Sequence, residues 1–331
     1  MHVAFILRHG ARAPSHSALK PFKETPVASC WDANEIENLT DFGKKCSFRV
    51  GEAFAIHETF HAIKNKPVRK VRWQSSPSIR AKESGEKFVH GFIEKLSQAD
   101  GNDSDLFAIT KDLTEPYSPV GQDLDAIFRP WLHNQDYLSQ NVEMKGGDIF
   151  QKKAASEKEF LMELSKIVSP SCEKSLVKML SLTTYFVEII ECEQNDAKQR
   201  RALCNALSEK QTEKVCELGR WCWNQRFFNM EISPTLGKPL FDVIFENSNE
   251  TDLAYYSGHD YTILALLASL GIKQYPENVL GYSSYLILLI DTTEKENGKP
   301  KVKKIILNPK PFEHFGSAVA VHNEICLLGH S

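Results

Sequence analysis

No stretch of the sequence is apolar for long enough to span a bilayer. The longest candidate, residues 263–272, falls well short of the roughly 20 residues that a transmembrane helix needs. Positive charge is not in excess either. The 40 Lys and Arg stand against 43 Asp and Glu, a formal net charge of −3, so no global basic field exists to hold nucleic acid. An anionic ligand has to be met by a local cluster. Internal repeats and low-complexity tracts are absent, which excludes solenoid and fibrous architectures. The eight cysteines include no C-x-x-C pair, so neither a zinc ribbon nor a thioredoxin-like motif is indicated. Their even number permits disulfides, but 331 residues can build a core without them. Ahead of the first apolar segment there is no basic n-region, apolar h-region and cleavage site. The expected compartment is the cytoplasm if Met1 is the native start, and secreted or lysosome-like if a leader is removed.

What is present is an ordinary globular composition, 42% hydrophobic and 25% charged, sufficient for one large domain or one domain with an insertion. Residues 3–14 read V-A-F-I-L-R-H-G-A-R-A-P. The apolar run at the start, with β-branched and aromatic members, predicts a buried strand. It leads directly into Arg8, His9, Gly10 and Arg12. A guanidinium is a planar fork of donors that matches phosphate oxygens two at a time. Gly10 lets a ligand approach the backbone. His9, between the arginines, is a competent nucleophile near neutral pH.

The pattern R-H-G-x-R-x-P arises by chance in roughly one chain in tens of thousands of this composition. It resembles the signature of the histidine acid phosphatases, the branch of the histidine phosphatase superfamily that includes prostatic-type acid phosphatases and phytases. Other segments extend the resemblance. Thr40 is expected to cap a helix whose apolar positions run from Phe42 to Ile63, and its start, L-T-D-F-G, resembles the L-T-x-x-G of that family. Residues 68–75 alternate as a strand and pass through S-S-P-S into a helix, with Arg80 in the first turn. A cation is unwelcome at a helix N-terminus unless an anion binds there, and the family has a phosphate-binding arginine at this place. Its usual aspartate in the turn is missing here. Residues 253–260 read L-A-Y-Y-S-G-H-D, a strand, a glycine and a His-Asp pair opening an apolar helix that stops at Gly271. Active sites of open α/β sheets lie past the carboxyl ends of the strands, so Arg8-His9, Arg80 and His259-Asp260 can converge on one edge.

The resemblance implies an α/β three-layer sandwich with a mostly parallel central sheet flanked by helices. Residues 1–123 and 230–331 would form the phosphatase core, with a smaller helical cap domain inserted at 124–229. Two final strands, 283–291 and 302–307, read as a hairpin with an exposed turn between them. The resemblance implies nucleophilic attack by His9 through a phosphohistidine, Asp260 as proton donor, and Arg8, Arg12, Arg80 and His259 on the phosphoryl oxygens. It further implies an acidic optimum, with His259 cationic, and no metal cofactor. The substrate would be a small-molecule phosphomonoester. Broad phosphomonoesters, lipid phosphates and inositol phosphates all remain open.

Two other readings compete. One is a catalytically silent module that binds phosphate or inositol phosphate. The other starts from His57-Glu58-Thr59-Phe60-His61, an H-E-x-x-H sequence that on one helix presents two zinc ligands and a general base, as in zinc peptidases. That motif occurs by chance in roughly 3% of chains, a third ligand is needed, and the extended H-E-x-x-H-x-x-G-x-x-H form is absent.

Overall fold

The computed structural model describes residues 1–64, 70–99, 113, 116, 123–273, 280–296, 299–309, 311 and 325–327. The chain begins with strand β1 (His2–Arg8), which is buried throughout. Helix α1 (Asp41–Ala55) starts at Thr40, whose side chain accepts from the Gly43 N–H as expected of a cap. Strand β2 (Val71–Ser75) leads into helix α2 (Ile79–Ala99). The expected beginning of that strand, residues 68–69, lies outside the described residues, as does most of the polar segment 100–122.

A helical stretch follows. It holds five helices between Leu124–Phe128 and Lys158–Leu164, then the long α3 (Leu176–Gln194) and α4 (Glu209–Phe227), with the short Ala202–Ala206 between them. Helix α5 (Lys238–Ser248), strand β3 (Leu253–Gly258) and helix α6 (Asp260–Ser269) come next. Strands β4 (Tyr285–Glu296), β5 (Lys299–Asn308) and β6 (Ile325–Leu327) end the fold. The hairpin strands run further than their apolar positions suggested, and take in most of the expected turn.

The six strands lie in the order β2-β3-β1-β4-β5-β6. β2, β3 and β1 are parallel, whereas β4, β5 and β6 run antiparallel to their neighbours. The sheet is therefore mixed, which corrects the expectation of a mostly parallel one. The reason lies between α6 and β4. Residues 283 and 284, just ahead of β4, lie against the carboxyl end of β1, where Ser283 N–H donates to the His9 carbonyl and Arg8 N–H to that of Ser284. β4 thus starts at that edge and must run the opposite way.

The side-chain period of two sorts β1 between two cores. Val3, Phe5 and Leu7 point into an aromatic cluster under α1 and α2, where Phe5 meets Phe54 at 4.6 Å and Phe88 at 4.9 Å. Ala4 and Ile6 point the other way, into a cluster shared with α3, α4, α5 and α6. Side chains of the helical stretch and of the sheet thus belong to one continuous apolar core.

Candidate active site

The sheet register builds the site. In β1 and β3, Arg8 stands opposite Gly258, and in β2 and β3, Ser75 stands opposite Ser257. The residues that follow each strand are therefore neighbours. His9 N–H donates to Gly258 O at 3.0 Å, and Ser76 N–H to Ser257 O at 2.9 Å. Loop 9–14 is fixed on its outer side by Thr40 N–H to Ala11 O at 2.9 Å and Ala13 N–H to Asn38 O at 3.1 Å. Its inner side is tied to α2, since Gly10 N–H donates to Ser84 Oγ at 3.0 Å and that hydroxyl donates to Arg80 O.

All six residues singled out in the sequence, Arg8, His9, Arg12, Arg80, His259 and Asp260, line one cavity of about 300 Å³. The rings of His9 and His259 are 5.4 Å apart, although 250 positions separate them in the chain. His9 Nδ1 lies 2.9 Å from the Gly10 carbonyl. Because a carbonyl only accepts, Nδ1 carries the proton and the lone pair sits on Nε2. His259 Nε2 meets Ser76 Oγ, in the turn after β2, at 3.0 Å. Asp260 accepts from the Tyr261 N–H and lies 3.5 Å from Arg8 Nη2.

The arginines are held by acids that sequence reasoning missed. Arg8 makes a bidentate pair with Glu191, 2.9 Å on both arms, donates to the Leu280 carbonyl, and lies over the Tyr282 ring. Arg12 pairs with Glu188 at 3.0 Å, and Arg80 with Glu37 at 3.2 Å. Arg129, also missed, pairs with Asp125 in the helices above, and Arg226 stands in the same wall. A signal was available for two of these. Glu188 and Glu191 are one helical turn apart in residues 182–191, otherwise apolar or Thr, and acids are rarely placed there without a cation to meet.

Electrostatics follow from this crowding. Burial, then Arg80, Arg12, His259 and Arg8, push His9 well below its ordinary pKa. Burial, then Arg80, Arg129 and Arg12, do the same to His259. The two acids of α3 differ. Burial raises both, but Arg12 and the Ser15 contacts leave Glu188 lowered overall, whereas Glu191 stays raised despite Arg8.

A pH dependence of stability results. His2 is also depressed, to about 4, chiefly by burial. Each of these histidines is neutral in the folded protein, while the unfolded chain takes up its proton below about 6.5. Their stabilisation is present above that pH and is lost as the pH falls toward the folded values. For His2 alone the full loss is on the order of 3 kcal/mol. The melting temperature should fall between pH 7 and pH 4.5. Added inorganic phosphate should restore part of it, because an anion beside His9 and His259 favours their imidazolium forms. A melting temperature flat over that range would contradict the assignment.

The H-E-x-x-H segment does not form one helix. α1 ends at Ala55, and a second short helix begins at Glu58. His57 lies at the break, buried, with Nδ1 accepting the Thr59 N–H at 3.1 Å. Glu58 pairs with Lys304 at 2.7 Å. Among the described residues, no group of three His, Cys, Asp or Glu is placed to hold a metal ion.

No family model matches the sequence, and no curated protein does. Solved structures do match. The Hafnia alvei phytase in complex with myo-inositol hexakis sulphate superposes with a TM-score of 0.66 at 17% identity, covering 92% of this chain and 83% of that one. The chain has a phytase fold. The Klebsiella sp ASR1 phytase gives 0.61 at 14% identity over 92% of this chain and 82% of that chain. The Bifidobacterium longum multiple inositol polyphosphate phosphatase bound to inositol hexasulfate gives 0.54 at 15% identity over 92% and 85%.

Proposed function

We propose that the chain is a histidine acid phosphatase, a phosphomonoester hydrolase acting through a phosphohistidine on His9. The observation that carries this reading is the imidazole of His9, fixed by Gly10 with its lone pair on Nε2, in a hollow bordered by Arg8, Arg12, Arg80 and His259. The phytase fold and the R-H-G-x-R-x-P sequence support it.

In this mechanism the arginines bind the phosphoryl oxygens and stabilise the charge spread over them in the transition state. They exchange part of their carboxylate contacts for the ligand. Nε2 of His9 attacks phosphorus, the bond to the alcohol oxygen breaks, and Asp260 gives that oxygen its proton. Water then attacks the phosphohistidine with Asp260 accepting a proton, which returns His9 and releases phosphate. The depressed pKa of His9 suits work at acidic pH, because the nucleophile keeps its lone pair there. Burial and the arginines disfavour the cationic form of His259, and the phosphate dianion supplies the charge that favours it. An acidic optimum follows. Residues 124–229 act as a cap that shapes the entrance, contributing Arg129, Glu188, Glu191 and Arg226. Substrates similar to inositol phosphates fit the neighbours' ligands.

The test is release of phosphate from a chromogenic aryl phosphate at acidic pH. Binding of phosphate without turnover would favour the silent module instead. Asp260→Asn should discriminate by leaving group. Loss of a proton donor costs about 10²-fold for an alkyl phosphate and much less for 4-nitrophenyl phosphate, whose phenolate needs little help. Equal losses for both esters would remove Asp260 from that role.

A further inference from the structure

The carboxylates beside Arg8, Arg12 and Arg80 are held in different ways. Glu188 and Glu191 stand on α3, with side chains 18% and 14% exposed. Each also accepts a backbone N–H, Glu188 from Ser15 at 2.7 Å and Glu191 from Tyr282 at 2.8 Å. They are fixed parts of the wall. Glu37 stands on a loop, and its side chain is 38% exposed. Its Oε2 accepts from Arg80 Nη1 at 3.2 Å, and its Oε1 is met by the His16 N–H at a long 3.4 Å.

The backbone of Glu37 is left-handed, with φ at 65°. The conformation is imposed by its neighbours. Glu37 N–H donates to Pro14 O and Ala13 N–H to Asn38 O, both at 3.1 Å, and Glu35 is paired with Arg200 at 2.6 Å. Such a position suits glycine and disfavours any residue with a Cβ. A glutamate held there brings a carboxylate into the cavity lining, which points to a role for it. Arg80 shows what the carboxylate does. It lies in the first turn of α2, where no acid stands, and its Nε is buried without an acceptor. Burial and the charge of Arg12 disfavour its cationic form, and Glu37 favours it. The carboxylate thus offsets charge that a phosphoryl group would otherwise offset. Both anions need the same guanidinium, and side by side they repel.

We propose that Glu37 is a tethered anion that competes with the phosphoryl group for Arg80 and sets how tightly the pocket holds phosphate. Glu188 and Glu191 keep their arginines in place when the ligand enters, whereas Glu37, on a loop and partly in water, gives way. Its return to Arg80 favours release of the product phosphate. This rests on the phosphatase reading for the identity of the anion, but its test needs no turnover.

Calorimetry with inorganic phosphate at pH 7 compares the natural protein with Glu37→Gln, which keeps the shape of the side chain and removes its charge. Loss of the competitor predicts about tenfold tighter binding, the worth of one charge-assisted contact. Glu37→Gly, which also relieves the left-handed backbone, should gain as much, because the charge and not the strain is responsible. With Arg80→Gln already in place, adding Glu37→Gln should gain less than about twofold, since the contested guanidinium is gone. Unchanged affinity in Glu37→Gln would overturn the proposal. Weaker binding would do so too, because Glu37 would then be the residue that aims Arg80 at the ligand. A tenfold gain that persists without Arg80 would show general repulsion in place of competition, and phosphate bound by neither the natural protein nor Glu37→Gln would leave nothing to compete for. Benzyl phosphate hydrolysis is run in parallel. Turnover with unchanged phosphate affinity would sink the proposal and leave the phosphatase reading standing, while tighter binding without turnover would do the reverse.

Discussion

Replacing His9 with alanine is expected to abolish hydrolysis of aryl phosphates, by about 10⁴-fold or more, while the fold persists. The size of the effect follows from the absence of a substitute. Among the described cavity-lining residues the other imidazole, His259, has its Nε2 against Ser76 and its ring set edge-on to His9, so it does not offer the same line of approach to phosphorus. Stability should change little. His9 is neutral, buried and surrounded by arginines, and its removal takes away two ring contacts, with His259 and Tyr282, and one side-chain hydrogen bond but no ion pair. Binding of inorganic phosphate should survive, because Arg8, Arg12 and Arg80 remain. Rapid acid-free quenching with radiolabelled substrate should trap phosphate on the natural protein and none on His9→Ala. Full turnover in His9→Ala, or a phosphoryl group trapped on another residue, would end the mechanism proposed here.

The sequence and the structure agree most closely where local chemistry decides. R-H-G-x-R-x-P, Arg80 at a helix start and His259-Asp260 after a strand all announce themselves through residue type and neighbours, and the register places them on one edge. What did not show was set by long-range packing. β4 reads as a strand from its apolar run Y-L-I-L-L-I, but its direction depends on the edge at which it starts. α1 looked continuous to Ile63 because the apolar spacing continues across Ile56 and His57, whereas the backbone breaks there. Glu188 and Glu191 belong to no motif of the sequence. They are the counter-charges of Arg12 and Arg8, a role fixed by residues more than 170 positions away. Arg129 and Arg226 carry no motif at all, and only the packing of the helical stretch over the sheet brings them to the cavity.

Gly43→Ala is expected to cost both stability and activity, and it explains why two glycines in separate motifs belong together. The Gly10 turn and the start of α1 cross at backbone contact. A Cβ on Gly43 would lie 2.1 Å from the Ala11 carbonyl oxygen, and one on Gly10 would lie 2.3 Å from that of Gly43. Neither clash can be relieved by a rotamer, since the atoms met are main chain. Loop 9–14 or α1 has to move, and the Thr40 N–H bond to Ala11 O is the first contact strained. Overpacking of this kind costs about 3 kcal/mol or somewhat more. Gly51→Ala is the informative comparison. Its Cβ would meet the Phe88 carbonyl oxygen, also at 2.1 Å, between α1 and α2 and away from the loop. Both variants should melt several degrees lower. Assayed well below its melting temperature, Gly51→Ala should keep most of its kcat, whereas Gly43→Ala should lose at least about tenfold, because a shift of an ångström in the loop carries His9 and Arg12 out of line with the phosphoryl group. Equal kcat values in the two variants would show that the crossing supports the fold alone and does not set the geometry of the anion loop.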